Sequence, residues 1–257
     1  MNPICIFGRD RRYELLEERL IREGYPILKG RLEESEPCTV ILPFSFTEEK
    51  TLSLMNKMQP QSTVLLGNPT KAMDSLAKEK SLFLVPVLKD PSYRLRNALA
   101  TAEGTLTQVI EKTDGLLSDL CILICGYGHC GSALARLFWL CGSEVWIHSR
   151  EGSMKRASED GFNLYPEWNA KAAMFDAVLN TVPDPIFPDP ILRLLRSGSS
   201  FFQIASGLSG LSTEKMQDLG IDFHVLHGLP GQYAPASEAE ALYRILTEPC
   251  RDSEESE

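Results

Sequence analysis

The 257-residue chain is short of positive charge and of long apolar runs, and each shortage excludes a class of function. Its 26 lysines and arginines are outnumbered by 35 aspartates and glutamates, for a formal net charge of −9. Nucleic acids and anionic bilayers reward a basic face, so neither is expected as a partner. No apolar run approaches the roughly 20 residues that a membrane-crossing helix needs. The start, MNPICIFGRDRRYELLEER, turns charged too early for an export signal, and a cytoplasmic protein is expected. Cysteines number seven, and Cys121, Cys125, Cys130 and Cys141 form no C-x-x-C pair suited to zinc, so no metal is expected. Cys121 and Cys125 alternate with Ile122 and Ile124, where a thiol serves as a small buried hydrophobe. Cys130, inside a glycine-rich stretch, is the thiol expected to be open to oxidation.

What is present is an alternation of short apolar strands and amphipathic helices. Strands are expected at 3–8 (PICIFG), 39–45, 62–67 and 82–88, with helices at RRYELLEERLIREG, closed by Gly24, and at TEEKTLSLMNKM. Asp90-Pro91 then punctuates the chain, and 92–113 reads as one long helix interrupted by Gly104. A second series follows, with strands at 120–125, 144–149, 177–183, 200–206 and 221–228, helices between them, and SEAEALYRILTE as a closing helix. Strands separated by helices imply parallel sheets. The expected fold class is α/β, two Rossmann-like domains with parallel sheets joined by a long connecting helix. The expected limits are 1–91 for the first domain, 92–114 for the connector and 115–235 for a nucleotide-binding domain. The helix at 237–248 is expected against the first domain, and 251–257 is an acidic tail.

Gly126-Tyr127-Gly128-His129-Cys130-Gly131 carries the chemistry. The pattern G-x-G-x-x-G is weak alone, but here a strand precedes it, a helix follows, and a second strand ends about 20 residues later. The first glycine permits a tight turn, the second lets the backbone approach a pyrophosphate, and the third lets helix pack on strand. Amides at the helix start face the phosphates, and the helix dipole adds to the attraction. The second strand lacks the usual ribose-binding carboxylate and ends on His148-Ser149-Arg150. A carboxylate repels a 2′-phosphate, whereas Ser149 and Arg150 offer a hydroxyl and a fork of donors, with Lys155 and Arg156 adding charge. NADP is therefore preferred to NAD, although Glu151 works against that field. Later strands end on Asn180-Thr181-Val182-Pro183, Ala205-Ser206-Gly207 and Gly228-Leu229-Pro230-Gly231, where nicotinamide and substrate would lie. Ordinary turn chemistry accounts for each of these separately.

Gly8-Arg9-Asp10-Arg11, VILPFS (40–45), AEGTLTQVIEKTD (102–114), the GYGHCG loop, LNTVP (179–183), IAS (204–206) and HGLPGQYAP (227–235) together resemble the family of dipicolinate synthase A subunits. The resemblance runs through most of the chain. It implies a relative of D-hydroxyacid dehydrogenases that oxidises a dihydrodipicolinate-type dicarboxylate to dipicolinate during sporulation. It also implies NADP as hydride acceptor and, as partner, a flavoprotein-like B subunit; a homo-oligomer is expected too. Aromatisation mainly requires placing the ring against the nicotinamide, so a strong base is optional. Glu103, His227 and Ser206 are the catalytic candidates, with a satisfied structural histidine as the plainer account of His227. Arg9, Asp10, Arg11, Ser45 and Ser206 are the candidates for holding the dicarboxylate. His129 is expected along the phosphates, and His148 and His224 in packing roles. The chain departs from the family in an abbreviated first domain and at two motifs. Gly207-Leu208-Ser209-Gly210 stands where the family has Arg-Pro-Gly-Gly, and Ala236-Ser237-Glu238-Ala239 where it has Lys-Thr-Ala-Gly. Two cations suited to a dicarboxylate are thus missing. A cofactor-binding subunit or sensor without catalysis, and a hydroxyacid or shikimate-type dehydrogenase, stay open as alternatives.

Overall fold

Parallel pairing organises both halves of the chain in the computed structural model, which describes residues 2–28, 32 and 36–248. The described residues fall into two units, one of those up to Asn97 with those from Pro230 onward, and one of Ala98–Leu229. In the first, β1 (Ile4–Ile6), β2 (Thr39–Ile41), β3 (Thr63–Leu66) and β4 (Phe83–Pro86) form a sheet in that order. Ile4 stands opposite Thr39, Thr39 opposite Thr63, and Thr63 opposite Phe83. Alternation divides the apolar side chains between two faces, both buried. Ile4, Ile41 and Leu65 pack with α1 (Arg11–Arg22), while Cys5, Val40, Val64 and Leu66 pack with α2 (Glu48–Asn56) and α3 (Lys71–Glu79). Asp10, Thr47 and Thr70 cap these three helices by accepting first-turn N–H bonds.

The connector, α4 (Pro91–Lys112), starts where Asp90 Oδ1 accepts the Tyr93 N–H at 2.7 Å. It runs unbroken through Gly104, against the interruption expected there. An interior glycine costs a helix only about 1 kcal/mol, and burial of Ala100, Ala102, Thr105 and Val109 around it offsets that cost.

The second unit holds β5 (Cys121–Cys125), β6 (Glu144–His148), β7 (Asn163–Leu164), β8 (Ala177–Asn180), β9 (Ser200–Gln203) and β10 (Asp222–Val225), all parallel, in the order β10-β9-β8-β5-β6-β7. The two-residue β7 is too short to show an alternation, and the sequence did not announce it. Ile122 and Ile124 pack against Leu134, Ala135 and Phe138 of α5 (His129–Leu140), and the chain continues from β6 into α6 (Glu151–Glu159). On the other face, Leu123, Cys125 and Val178 meet Leu192 of α7 (Asp189–Leu192) and Met216 of α8 (Thr213–Asp218). Burial, with Glu144 and Asp176 adding, pushes the Cys121 thiol up to about 12, which suits a packing role. Strand order reverses between β5 and β8, and ligands of such sheets lie at the carboxyl ends there.

Residues 229–231, expected as a turn, open the short helix α9 (Leu229–Tyr233), closed by the Ala234 N–H on the Pro230 carbonyl at 3.0 Å. The chain then enters α10 (Pro235–Thr247), which packs on α1 with Arg19 of α1 paired to Glu240. The expected acidic tail, 251–257, lies outside the described residues. One buried cluster of charge joins these parts of the first unit. Glu238, 0% exposed, accepts on Oε2 from Tyr93 Oη at 2.6 Å, Asn97 Nδ2 at 3.3 Å and Arg12 Nη1 at 3.5 Å. Arg12, 7% exposed, donates to Asp10 Oδ2 at 2.8 Å and lies 4.7 Å from the Tyr13 ring centre. Removing one partner strands the other's charge. Arg12→Ala or Glu238→Ala should each lower stability to urea by about 3 to 5 kcal/mol, whereas the double change to Met and Leu should cost less than either. Single losses under about 1 kcal/mol would mean that the pair is not desolvated.

Candidate cofactor site

The glycine loop leaves β5 at the reversal of strand order. Gly126 has φ +95°, and a Cβ there would stand 2.4 Å from Thr181 Oγ1 and 3.0 Å from Val182 Cγ2. Its N–H donates to the His148 carbonyl at 2.8 Å, which stitches the loop to the end of β6. A Cβ on Gly131 would stand 2.1 Å from the Gly126 carbonyl oxygen, so α5 presses directly on the loop backbone. Gly128 differs, because nothing lies within 4 Å of its Cβ position and, as the N-cap of α5, it brings no side chain to the first-turn amides. Free amides at a helix start, with open space before them, fit the pyrophosphate of a dinucleotide.

At the end of β6, where a carboxylate is usual, the His148 ring is turned to packing. Its Nδ1 donates to the Tyr165 carbonyl at 2.8 Å, and its ring centre lies 4.7 Å from that of Trp168. Ser149 is half-buried and Arg150 exposed, with the Arg150 carbonyl accepting the first N–H bonds of α6. Of the two further cations, Arg156 and not Lys155 reaches the loop. Arg156 Nη2 donates to the Tyr127 carbonyl and to Ser153 Oγ, both at 3.2 Å. Positions three apart share a helix face, so Ser153 and Arg156 lie together by the loop, whereas Lys155, one residue round, makes no hydrogen bond to it among the described residues. The Tyr127 side chain is turned inward, leaving only its backbone for a nucleotide. Its ring meets Phe162 at 6.0 Å, and its hydroxyl donates to Asp160 Oδ2 at 2.5 Å. That bond, aided by Arg136 at 3.3 Å, holds the Asp160 carboxyl below its usual range. Burial raises the Cys130 thiol against an opposing Thr101 hydrogen bond, and a raised thiol is a less ready target for oxidation.

The loops after β8 and β9 are held from behind. Asn180 is wholly buried, and its Nδ2 donates to Gln203 Oε1 at 2.8 Å and to the Val182 carbonyl at 3.1 Å. Gln203 Nε2 in turn reaches the Gly207 carbonyl and Ser209 Oγ, both at 3.0 Å. Asn180, expected to touch cofactor, is therefore a brace whose amide is consumed internally. Thr181 Oγ1 donates to the Cys125 carbonyl at 2.8 Å, beneath Gly126. Val182 is half-buried and Pro183 exposed, Ala205 is buried, and Ser206, Gly228 and His227 are exposed. The Leu229 side chain is in the core and unavailable to a ligand, and Pro230 belongs to the other unit. Glu103 is on the exposed side of α4, and His129 is exposed as the first residue of α5. His224 pairs with Asp222 at 2.7 Å and stacks on Phe202, a packing role.

Among the first unit's candidates, Arg11 is tied to Glu14 at 3.1 Å and Glu18 at 3.3 Å on its own helix. Asp10 is spent on capping α1 and on Arg12, which removes it as a substrate contact. Arg9 and Ser45 are exposed. Arg12 went unmarked in the sequence reading, although 12, 13, 16 and 20 share the buried face of α1 and signal it. Gln203 and Asp160 were also missed, because neither carries a local pattern.

No family model matches the chain. A curated protein, the A subunit of dipicolinate synthase from Bacillus subtilis (strain 168), is 22% identical over 196 residues, which is 75% of this chain and 66% of that one. The crystal structure of the dipicolinate synthase A subunit from Bacillus halodurans aligns at TM-score 0.81 and 23% identity, covering 95% of this chain and 96% of that one. The chain resembles the A subunit of dipicolinate synthase in sequence and in fold. Dipicolinate synthase A from Bacillus subtilis aligns in its crystal structure at TM-score 0.79 and 20% identity, over 96% of this chain and 94% of that one. The NAD-complexed D-isomer specific 2-hydroxyacid dehydrogenase from Lactobacillus delbrueckii ssp. bulgaricus shares the two-domain fold, at TM-score 0.54 and 12% identity, over 96% of this chain and 95% of that one. Dipicolinate synthase A and the 2-hydroxyacid dehydrogenases thus supply the architecture in which the loop is read.

The three glycines separate fold from ligand. Gly128→Ala should leave the melting temperature unchanged and weaken nicotinamide dinucleotide binding by about tenfold, the scale of one lost bond to a charged group. Gly131→Ala should lower stability as well, by about 1 to 3 kcal/mol from overpacking. Calorimetric titration beside thermal melts checks both, and unchanged nucleotide affinity in Gly128→Ala counts against the cradle.

Proposed function

We propose that this chain is an NADP-dependent oxidoreductase of the dipicolinate synthase A type. It acts on a dihydrodipicolinate-type dicarboxylate to release the aromatic product, in the cytoplasm of a sporulating cell, with a flavoprotein-like B subunit. The observation that carries the reading is an open phosphate cradle, Gly126 to Gly131, beside a β6 end with no carboxylate. When bound, the nicotinamide supplies the hydride acceptor. The Gly128 and His129 amides hold the diphosphate, and the 2′-phosphate lies toward the cations that follow β6. Loops 181–183 and 205–207, fixed by Asn180 and Gln203, frame the nicotinamide end. In the second unit Ser206 orients a substrate carboxylate, and Glu103 or His227 accepts the proton lost with the hydride.

A second reading, a cofactor-binding subunit without its own turnover, draws on one observation. Arg11 is occupied by Glu14 and Glu18, and Arg12 by Asp10 and Glu238, which leaves Arg9 as an exposed cation near β1 with no ion pair among the described residues. One assay separates the two. The purified chain, alone and with a B-type partner, is mixed with freshly generated dihydrodipicolinate and NADP, and absorbance of the pyridine dicarboxylate and the reduced cofactor is followed. Paired growth of both signals is expected. NADP binding without turnover in either mixture would favour the second reading, and turnover only on a 2-hydroxyacid would replace both.

A further inference from the structure

We propose that Arg156 sets cofactor choice, as the residue that receives the 2′-phosphate while resting on the glycine loop. The inference builds on the NADP reading above and names the side chain responsible.

The guanidinium is held at one edge and open at the other. Nη2 is engaged by the Tyr127 carbonyl and Ser153 Oγ, and Nε and Nη1 make no hydrogen bond among the described residues. A planar fork with one edge anchored is pre-organised for a phosphate at its second edge. Beside it opens a recess of about 380 Å³, walled by Gly128, His129, Ser132, Arg136 and Arg156. The recess also holds Asp160 and Glu159. Asp160 accepts from Tyr127 Oη at 2.5 Å and pairs with Arg136 at 3.3 Å; it also feels the charge of Arg156, with no hydrogen bond to it among the described residues. Glu159 is exposed, where water screens it. The Lys155 and Arg150 side chains are exposed and make no hydrogen bond among the described residues. Of the two arginines that wall the recess, Arg136 is paired to Asp160, and Arg156 is the one bonded to the loop backbone among the described residues.

The test titrates the full-length protein with NADP, NAD, 2′,5′-ADP and 5′-ADP by calorimetry, for wild type, Arg156→Ala, Arg156→Lys and Arg150→Ala. Arg156→Ala should weaken NADP and 2′,5′-ADP by about 10- to 100-fold, the scale of lost bonds to a charged group. NAD and 5′-ADP should change by less than about threefold, since the loop glycines still hold the diphosphate. Arg156→Lys, which keeps the charge without the fork, should fall between, and it supplies the comparison if the alanine variant melts early. Equal losses on all four ligands would reduce Arg156 to a loop brace and overturn the proposal, as would a phosphate-specific loss confined to Arg150→Ala. Wild-type protein holding NAD as tightly as NADP would remove the cofactor reading itself, and the proposal with it. The wild-type ratio thus reports on the cofactor, and the variants report on Arg156.

Discussion

At the end of β5 there is no room for a side chain, and the second unit is arranged around that constraint. A methyl group at Gly126 would strike Thr181, and one at Gly131 would strike the Gly126 carbonyl. The start of α5 is therefore drawn against the strand, with Leu134, Ala135 and Phe138 burying the helix face that makes the approach favourable. The same approach leaves the first-turn amides of α5 open at the reversal of strand order. Close packing behind the loop and an unfilled front are two results of one geometry.

Loops around that front keep their shape through buried polar braces. A buried amide or phenol without a partner costs about 1 to 3 kcal/mol, so each brace admits few arrangements. Asn180 and Gln203 tie the turn after β8 to the turn after β9. Tyr127 and Asp160 tie the glycine loop to the end of α6, and Arg156 adds a second tie through the loop carbonyl. In the first unit, Arg12 and Glu238 do the same for α1 and α10. Residues that brace are consumed by bracing, which is why several expected ligand contacts prove to be internal. What remains toward solvent includes backbone, hydroxyl and guanidinium groups, which suit phosphates and carboxylates.

The strongly acidic composition did not forecast this local balance. Net charge governs solubility and encounter, while a site is governed by charges within a few ångströms that lack partners. Arg9 and Arg11 look equivalent as neighbours in the sequence, yet Arg11 is neutralised by Glu14 and Glu18 one and two turns along its helix. Lys155 and Arg156 are adjacent, yet a helix turns successive residues about 100° apart and only Arg156 meets the loop.

Periodicity and turn residues made the main elements legible from the chain alone, because alternation and helical spacing are local and need no knowledge of neighbours. The glycine loop was legible for the same reason. A glycine inside α4 and the two-residue β7 were not, since the first is decided by burial and the second by pairing. By itself the sequence determined which elements form and where the glycine loop stands. Only the tertiary structure decided which charged and polar side chains stay free, because their partners lie far away in the chain. Arg12 and Glu238, 226 positions apart, cancel each other inside the first unit, and no local pattern of either residue announces that meeting.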